Sequence, residues 1–450
     1  MLTRFLCASL LCLAADTGGI DPFVIKPYVQ LGNSPKLQAR EELSILWHAA
    51  DHDANWSADY LPAGKSNWSK AQMSMLRRVD AKGIPAHRVY AAGLRDLAPG
   101  KAVRYRVSLD GKVVFESAAT ARKAANQPYR FAVFGDCAQG TAEQKAIAYQ
   151  TFQTKPDFVA IAGDIVYSKG LISEYRQKYF PIYNTDTAGA ATGAPLIRST
   201  LFMASPGNHD IGGGDLGLTP DGLAYFLYWM QPLNGPTSLA SPGSVPATGV
   251  IENVEAFLKS AGTQFPRMAN FSFDYGNSHW TVIDSNKQAD WSNPALKDWL
   301  QKNLAAAQSA TWRFVIYHHP GFNSSKAHFG DQWMRLLAPV FEQGKVDIVF
   351  GGHVHNYQRS HPIRFVPEPG KWRSVVPGMW TLDKKYDGVT NTKPDGVLYI
   401  VTGAGGARLY NPEQSGDPAS WQEFTSKFVS NVNSLISRSA SRSPDRLCLK

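Results

Sequence analysis

The sequence predicts an α/β region preceded by an N-terminal all-β sandwich domain, and three observations lead there. At 450 residues the chain exceeds what one hydrophobic core usually organises, so two domains are expected. Short alternating apolar runs separated by turn residues fill 26–120, the pattern of a small β-sandwich. From Tyr129 onward, continuous apolar runs alternate with helical stretches, which reads as strands buried on both faces of a sheet.

The N-terminus reads Met1-Leu-Thr-Arg4, then apolar from Phe5 to Leu13, then Ala14-Ala15. One positive charge, a short apolar stretch and small residues describe a secretory signal peptide over 1–15, so the protein is expected to be secreted or periplasmic. The run falls short of the ~20 apolar residues that span a bilayer, and no stable membrane insertion is expected. Strand candidates in 26–120 are Leu43-Ser-Ile-Leu-Trp47, His87-Arg-Val-Tyr90, Val103-Arg-Tyr-Arg-Val107 and Val113-Val-Phe115. Turns at Gly32-Asn-Ser-Pro, Pro62-Ala-Gly and Pro99-Gly100 separate them. Leu97-Ala-Pro-Gly ahead of the Tyr105 strand resembles the corner of fibronectin type III modules. Residues 121–127 form a short linker.

The α/β region is placed at 128–430. Its strand candidates are Arg130–Phe134, Phe158–Ala162, Leu201–Ala204, Thr281–Ile283, Arg313–Tyr317 and Val346–Phe350, with helices over Ala142–Thr154, Pro294–Gln308 and Asp331–Glu342. Residues 184–250 are rich in Gly, Pro, Thr and Ser and predict long surface loops near the site. The Ser- and Arg-rich stretch 431–450 shows little periodicity and is expected to be a disordered tail.

Composition removes several function classes. The net charge is +9, of which Arg4 supplies +1 and residues 431–450 supply +3, leaving +5 for the rest. That excess steers anionic substrates inward, but no clustered Lys/Arg stripe is present, so no nucleic-acid partner is expected. Cys7 and Cys12 fall in the signal; Cys137 and Cys448 make no disulfide framework, and there is no Cys-x-x-Cys. Asp59 stands where Gly64-Lys65-Ser66 would need glycine to be a phosphate-binding loop, and there is no Gly-x-Ser-x-Gly elbow.

Five polar clusters each follow an apolar strand: Gly135-Asp136, Gly163-Asp164-Ile165-Val166-Tyr167, Gly207-Asn208-His209-Asp210, Val315-Ile316-Tyr317-His318 and Gly352-His353-Val354-His355. In α/β sheets the crevice beyond the strand C-termini binds ligands, so five sequence-distant loops can meet at one point. Two carboxylates, a phenol, an amide and several imidazoles suffice for two cations, and one carboxylate can bridge them. Two cations about 3.5–4 Å apart clamp the attacking and leaving oxygens of in-line phosphoryl transfer and acidify a water to a hydroxide nucleophile.

In this order the clusters resemble the calcineurin-like metallophosphoesterase superfamily and, more narrowly, the purple acid phosphatases. Echoes at Asn270-Phe-Ser-Phe-Asp-Tyr-Gly276, Ile283-Asp-Ser285 and Val401-Thr-Gly-Ala-Gly-Gly406 extend the resemblance. It implies an α+β sandwich of two mixed sheets flanked by helices. It also implies that Asp136, Tyr167 and His355 bind a first metal, Asn208, His318 and His353 a second, and that Asp164 is shared. The tyrosine implies Fe(III) paired with Fe(II), Zn(II) or Mn(II). His209 would contact the phosphate, with Asp210 orienting it, and His328 would donate a proton to the leaving group.

Two departures stand out. The first motif reads Asp136-Cys137-Ala138 where the family has Asp-x-Gly, and no closing strand pair is legible after Phe428. His319 is left without a role, while His48, His52, His87, His279 and His361 read as structural or surface residues. The expected function is that of an exported acid phosphatase acting on small phosphate monoesters through a dinuclear metal centre. A phosphodiesterase or nucleotide hydrolase on the same site, or a catalytically silent binding module, are the alternatives.

Overall fold

Alternation along Ala102–Leu109 shows how the first domain is built: Val103, Tyr105 and Val107 are buried while Arg104 faces solvent. The computed structural model describes residues 21–236, 247–370 and 374–440. The segment 1–15 lies outside them. One antiparallel sheet runs Ile25–Gln30, Glu41–Ala50, His87–Leu97, Gln72–Val79. A second runs Ser69–Lys70, Trp56–Pro62, Ala102–Leu109, Lys112–Thr120. Trp47 stacks on Tyr90 at 5.5 Å, with Trp56 at 5.8 Å, filling the space between the sheets.

The catalytic region is a sandwich of two mixed sheets. The smaller has strand order Leu201–Ala204, Phe158–Ile161, Tyr129–Phe134, Ile436–Ala440, the first three parallel and the last antiparallel. The larger has seven strands, from Phe271–Tyr275 through Ser278–Val282, Trp312–Ile316, Ile348–Gly351 and Leu398–Thr402 to Tyr357–Ser360 and Thr425–Val429. Its four central strands are parallel. Phe131 and Phe158 of one sheet each meet Trp280 of the other edge-on at 5.1 Å. Such aromatic pairs add about 0.5–1.5 kcal/mol beyond their buried area.

Helices cover the outer faces. Ala142–Thr154 begins where Thr141 Oγ1 accepts the Gln144 N–H at 3.0 Å. Pro294–Ala306 is capped by Asn293, starts on proline and buries Leu296, Leu300 and Leu304 along one stripe. The helix expected over Asp331–Glu342 is corrected to a 3₁₀ turn, Trp333–Leu337, followed by Ala338–Gln343. Pro339 lacks the N–H that a continuous helix would need and sits in the first turn of the second piece.

The tail is corrected as well. Ile436–Ala440 pairs antiparallel with Tyr129–Phe134, and Ile436 is buried, so order continues past residue 431. The unpaired backbone edge of Tyr129–Phe134 supplies the template that composition does not reveal. Residues 441–450, including Cys448, lie outside the described residues. Among those described, no helix is long and apolar enough to cross a membrane.

Candidate dinuclear metal centre

The parallel strands of both sheets end at one edge of the sandwich, and every polar cluster lies there. Asp136 follows Tyr129–Phe134, and Asp164 and Tyr167 follow Phe158–Ile161. Asn208, His209 and Asp210 follow Leu201–Ala204, His318 follows Trp312–Ile316, and His353 and His355 follow Ile348–Gly351. Asp136, Asp164 and His353 adopt left-handed backbone with φ of 58°, 49° and 66°, turning each side chain back across its strand end. Such conformations persist where the surroundings over-determine them, as at functional sites.

Two donor sets result. In the first, the Tyr167 hydroxyl donates to Asp136 Oδ1 at 3.0 Å, and His355 Nε2 lies 3.1 Å from that hydroxyl and 3.3 Å from Asp136 Oδ1. In the second, His318 Nε2 is 3.0 Å from Asn208 Oδ1 and 3.2 Å from Asp164 Oδ1. The sets are contiguous, because donor atoms of Asp136, Asp164 and His318 fall within 4.8 Å of one another. His353 borders both: its N–H donates to Asp136 Oδ2 at 2.8 Å, and its ring stands 5.0 Å from that of His318.

Outer partners fix the imidazoles. His318 Nδ1–H donates to the Ala162 carbonyl at 2.8 Å, and His355 Nδ1–H to the Arg408 carbonyl at 2.7 Å. Each therefore presents Nε2 to the site. Tyr410 stacks on His355 at 4.1 Å. Ser285 Oγ accepts the backbone N–H of His318 and of His319, and lies 3.0 Å from His319 Nδ1. The His319 ring packs on Trp333 and His353, at 4.9 and 4.3 Å.

His209 sits at the mouth with about a third of its side chain exposed. Its Nδ1–H donates to the Ser168 carbonyl at 2.7 Å, leaving Nε2 3.8 Å from Asp164 Oδ2. The orienting role expected of Asp210 is corrected. Its carboxylate accepts the N–H groups of Ile165 (3.0 Å), Val166 (3.4 Å) and Gly207 (2.8 Å), so it clamps two loops together rather than holding the imidazole. His328 is also at the mouth, 4.0 Å ring to ring from His353. The Cys137-Ala138 departure leaves the loop in place: their N–H groups donate to the Asp164 and Ile165 carbonyls, each at 3.1 Å.

Charge in the pocket is strongly coupled. Burial alone would raise Asp164, but His318, with help from His209 and His353, holds it well below the usual carboxylate range. Burial pulls His318 down, yet Asp164 and Asp136 lift it to about 9. Burial, then the Asp136 and Asp164 charges, push the Tyr167 phenol far above its ordinary value. The buried carboxylates thus favour the charged form of His318 and His355, while burial and the neighbouring imidazoles hold His353 down at about 4 and lower His319 as well. That environment, with hard oxygen and imidazole donors converging, fits cations, which Asp136, Tyr167 and His355 on one side and Asp164, Asn208 and His318 on the other would hold.

The sequence profile of calcineurin-like phosphoesterases matches residues 129–357, just over half of the chain. The chain belongs to the calcineurin-like phosphoesterase family. It is a metal-dependent phosphoester hydrolase, and a dinuclear metal centre is typical of the superfamily. An uncharacterised Mycobacterium tuberculosis protein is 25% identical over 397 residues, covering 82% of this chain and 67% of its own. Purple acid phosphatase 1 of Ipomoea batatas is 23% identical over 322 residues, 69% of this chain and 61% of that protein. Among solved structures, a purple acid phosphatase from yellow lupin (Lupinus luteus) seeds superimposes with a TM-score of 0.61 at 17% identity, over 93% of this chain and 70% of that one. PhoD gives 0.56 at 12%, over 94% and 85%. These two likenesses concern the fold.

Sequence reasoning missed Asp331, whose Oδ2 lies 3.1 Å from His328 Nδ1 and 3.3 Å from His353 Nε2. The available signal was the turn His328-Phe-Gly-Asp331, in which a carboxylate returns beside an imidazole three residues earlier.

Proposed function

We propose that this phosphoesterase is an exported acid phosphatase that hydrolyses small phosphate monoesters. The observation that supports it best is the meeting of the Asp136–Tyr167–His355 and Asp164–Asn208–His318 donor sets in one pocket, with His209 and His328 at its open side. When bound, the cation pair supplies charge neutralisation at the phosphoryl oxygens and a nucleophilic water.

The chain's own residues do the rest. Asp164, joined by His318 and by the His209 N–H at 2.9 Å, fixes the separation of the two donor sets. His209, locked by Ser168, directs Nε2 toward the substrate side and can donate to a phosphoryl or leaving oxygen. His328, 35% exposed, stands across the mouth as the second proton donor for the departing alcohol. The Tyr167 phenol needs a strongly acidic cation to lose its proton between two carboxylates. This favours Fe(III) in the first position, with Fe(II), Zn(II) or Mn(II) in the second. The Met1–Ala15 pattern supports export to a secreted or periplasmic location.

The test combines metal analysis, the visible spectrum and a phosphoester panel. About two metals per chain, a phenolate-to-iron band that Tyr167→Phe removes, and preference for p-nitrophenyl phosphate over its bis-ester are expected. Preference for the bis-ester would replace this reading with a phosphodiesterase. An unchanged band in Tyr167→Phe would refute tyrosinate ligation, and N-terminal sequencing of the exported protein checks cleavage.

A further inference from the structure

Asp331 lies outside the five strand-end clusters, yet it touches two groups that belong to the site. The turn that brings it there is local: His328 has left-handed backbone with φ 58°, and its carbonyl accepts the Asp331 N–H at 3.1 Å. Side chains three residues apart therefore meet. Oδ2 is 3.1 Å from His328 Nδ1 and 3.3 Å from His353 Nε2, while Oδ1 faces Lys287 Nζ at 4.0 Å. A carboxylate is ionised at neutral pH and only accepts. Both ring nitrogens that face it must carry the hydrogen. His353 is then left with Nδ1 as its bare nitrogen, and His328 with Nε2 directed away from Asp331.

We propose that Asp331 is a positioning residue that serves both sides of the centre through one oxygen, holding His353 with Nδ1 free for a cation and the doubly protonated His328 ring with its Nε2–H directed at the leaving group. The proposal rests on the reading of His353 as a metal ligand and His328 as a leaving-group donor. It goes beyond that reading by joining the two roles in a single carboxylate. A carboxylate behind a metal-bound imidazole fixes its tautomer and raises its basicity, and losing such a partner weakens metal binding by about 10- to 100-fold. Here the same loss also frees the imidazole across the mouth.

The experiment compares the wild-type chain with Asp331→Asn and Asp331→Glu. With ¹⁵N-labelled histidine, the metal-free wild type is expected to show His353 protonated at Nε2 and a His328 Nδ1–H bonded to the carboxylate whether or not Nε2 also carries its proton, and the Asn variant to show mixed tautomers at His353 and loss of that bond at His328. Affinity for the more weakly held cation should fall about 10- to 100-fold in Asp331→Asn and recover in part in Asp331→Glu. Turnover of an alkyl phosphate should fall at least about tenfold more than that of p-nitrophenyl phosphate, whose leaving group needs little protonation. Unchanged tautomers with unchanged metal affinity would overturn the proposal. So would three bound metals per wild-type chain falling to two in the variant, because His328, Asp331 and His353 also lie close enough to hold a cation themselves. If the wild type hydrolyses neither ester, the monoesterase reading fails, while the tautomer and metal measurements still decide the role of Asp331.

Discussion

An added Cβ at Gly207 would stand 2.1 Å from Asp164 Oδ1 and 2.3 Å from the Asp164 backbone nitrogen. Neither atom has room to retreat, since Asp164 is almost fully buried and held by His318 and the His209 N–H. Gly207→Ala is therefore expected to displace the Asp164 carboxylate, and, if Asp164 is shared as proposed, to lower bound metal below two per chain and activity by at least about 100-fold with the fold retained. Metal analysis beside circular dichroism checks this. Full metal content in the variant would mean that Asp164 is not the shared donor. Asp210 makes the opposite case. Burial and the Asp164 charge push its carboxyl up to about 8, yet it remains the acceptor for backbone N–H groups of two loops. Leaving buried donors unsatisfied costs about 1–3 kcal/mol. Asp210→Ala should thus lose about 3 kcal/mol in denaturant unfolding. A variant that keeps its stability and loses only turnover would restore the orienting role that the sequence suggested.

At the scale of elements, what was legible followed from local chemistry. Ala142–Thr154 was legible as a helical stretch between apolar runs, and the polar clusters as short segments at the ends of apolar strands. What was hidden depended on a partner elsewhere in the chain. Ile436–Ala440 reads as polar tail until the free edge of Tyr129–Phe134 pairs with it, and Asp331 has no meaning until the left-handed turn at His328 folds it back. His48 and His87 are a further example, because sequence alone makes them ordinary. In the structure their Nε2 atoms meet the hydroxyls of Tyr28 and Tyr228 at 2.9 and 3.2 Å, in a buried seam beneath the helix Tyr225–Tyr228. Burial, reinforced by Arg176, holds His87 down at about 3, and burial lowers His48 likewise. An unfolded chain protonates histidine near pH 6.5, so between about pH 6.5 and 3 the unfolded state binds more protons and stability falls as the pH drops. Thermal melts of wild type and His87→Gln across that window should show a shallower decline in the variant. Parallel declines would place the acid sensitivity elsewhere.

At the scale of the whole molecule, the two domains share their cores. Val29, Trp47 and Tyr105 of the first belong to the same buried cluster as Phe131, Phe158 and Trp280 of the second. The Val29 N–H donates to the Ile197 carbonyl at 2.7 Å, and the Tyr105 hydroxyl to the Arg198 carbonyl at 2.7 Å. An all-β domain bound this way is part of the catalytic scaffold rather than a module swinging on a linker. That continuity was not legible from periodicity, which marks faces as apolar without saying which other face they meet.

Arg122 gives the sharpest test of that continuity. It lies in the linker, only 1% exposed, and its Nε donates to the equally buried Glu41 at 2.5 Å. Its Nη1 donates to the Asp274 carbonyl at 3.1 Å and its Nη2 to the Lys36 carbonyl at 3.0 Å, so one guanidinium holds both domains. Breaking a buried pair by removing one partner costs about 3–5 kcal/mol, because the charge left behind is unpaired. Arg122→Ala strands Glu41 and should lower stability by that amount. Since the domains share a core, one cooperative transition should move down rather than split into two. Replacing both partners with apolar residues, as in Arg122→Met with Glu41→Leu, removes the stranded charge and should recover most of the loss. Calorimetry of the three proteins decides the matter: a split transition in Arg122→Ala would show that the domains unfold separately and that the shared core contributes little to their union.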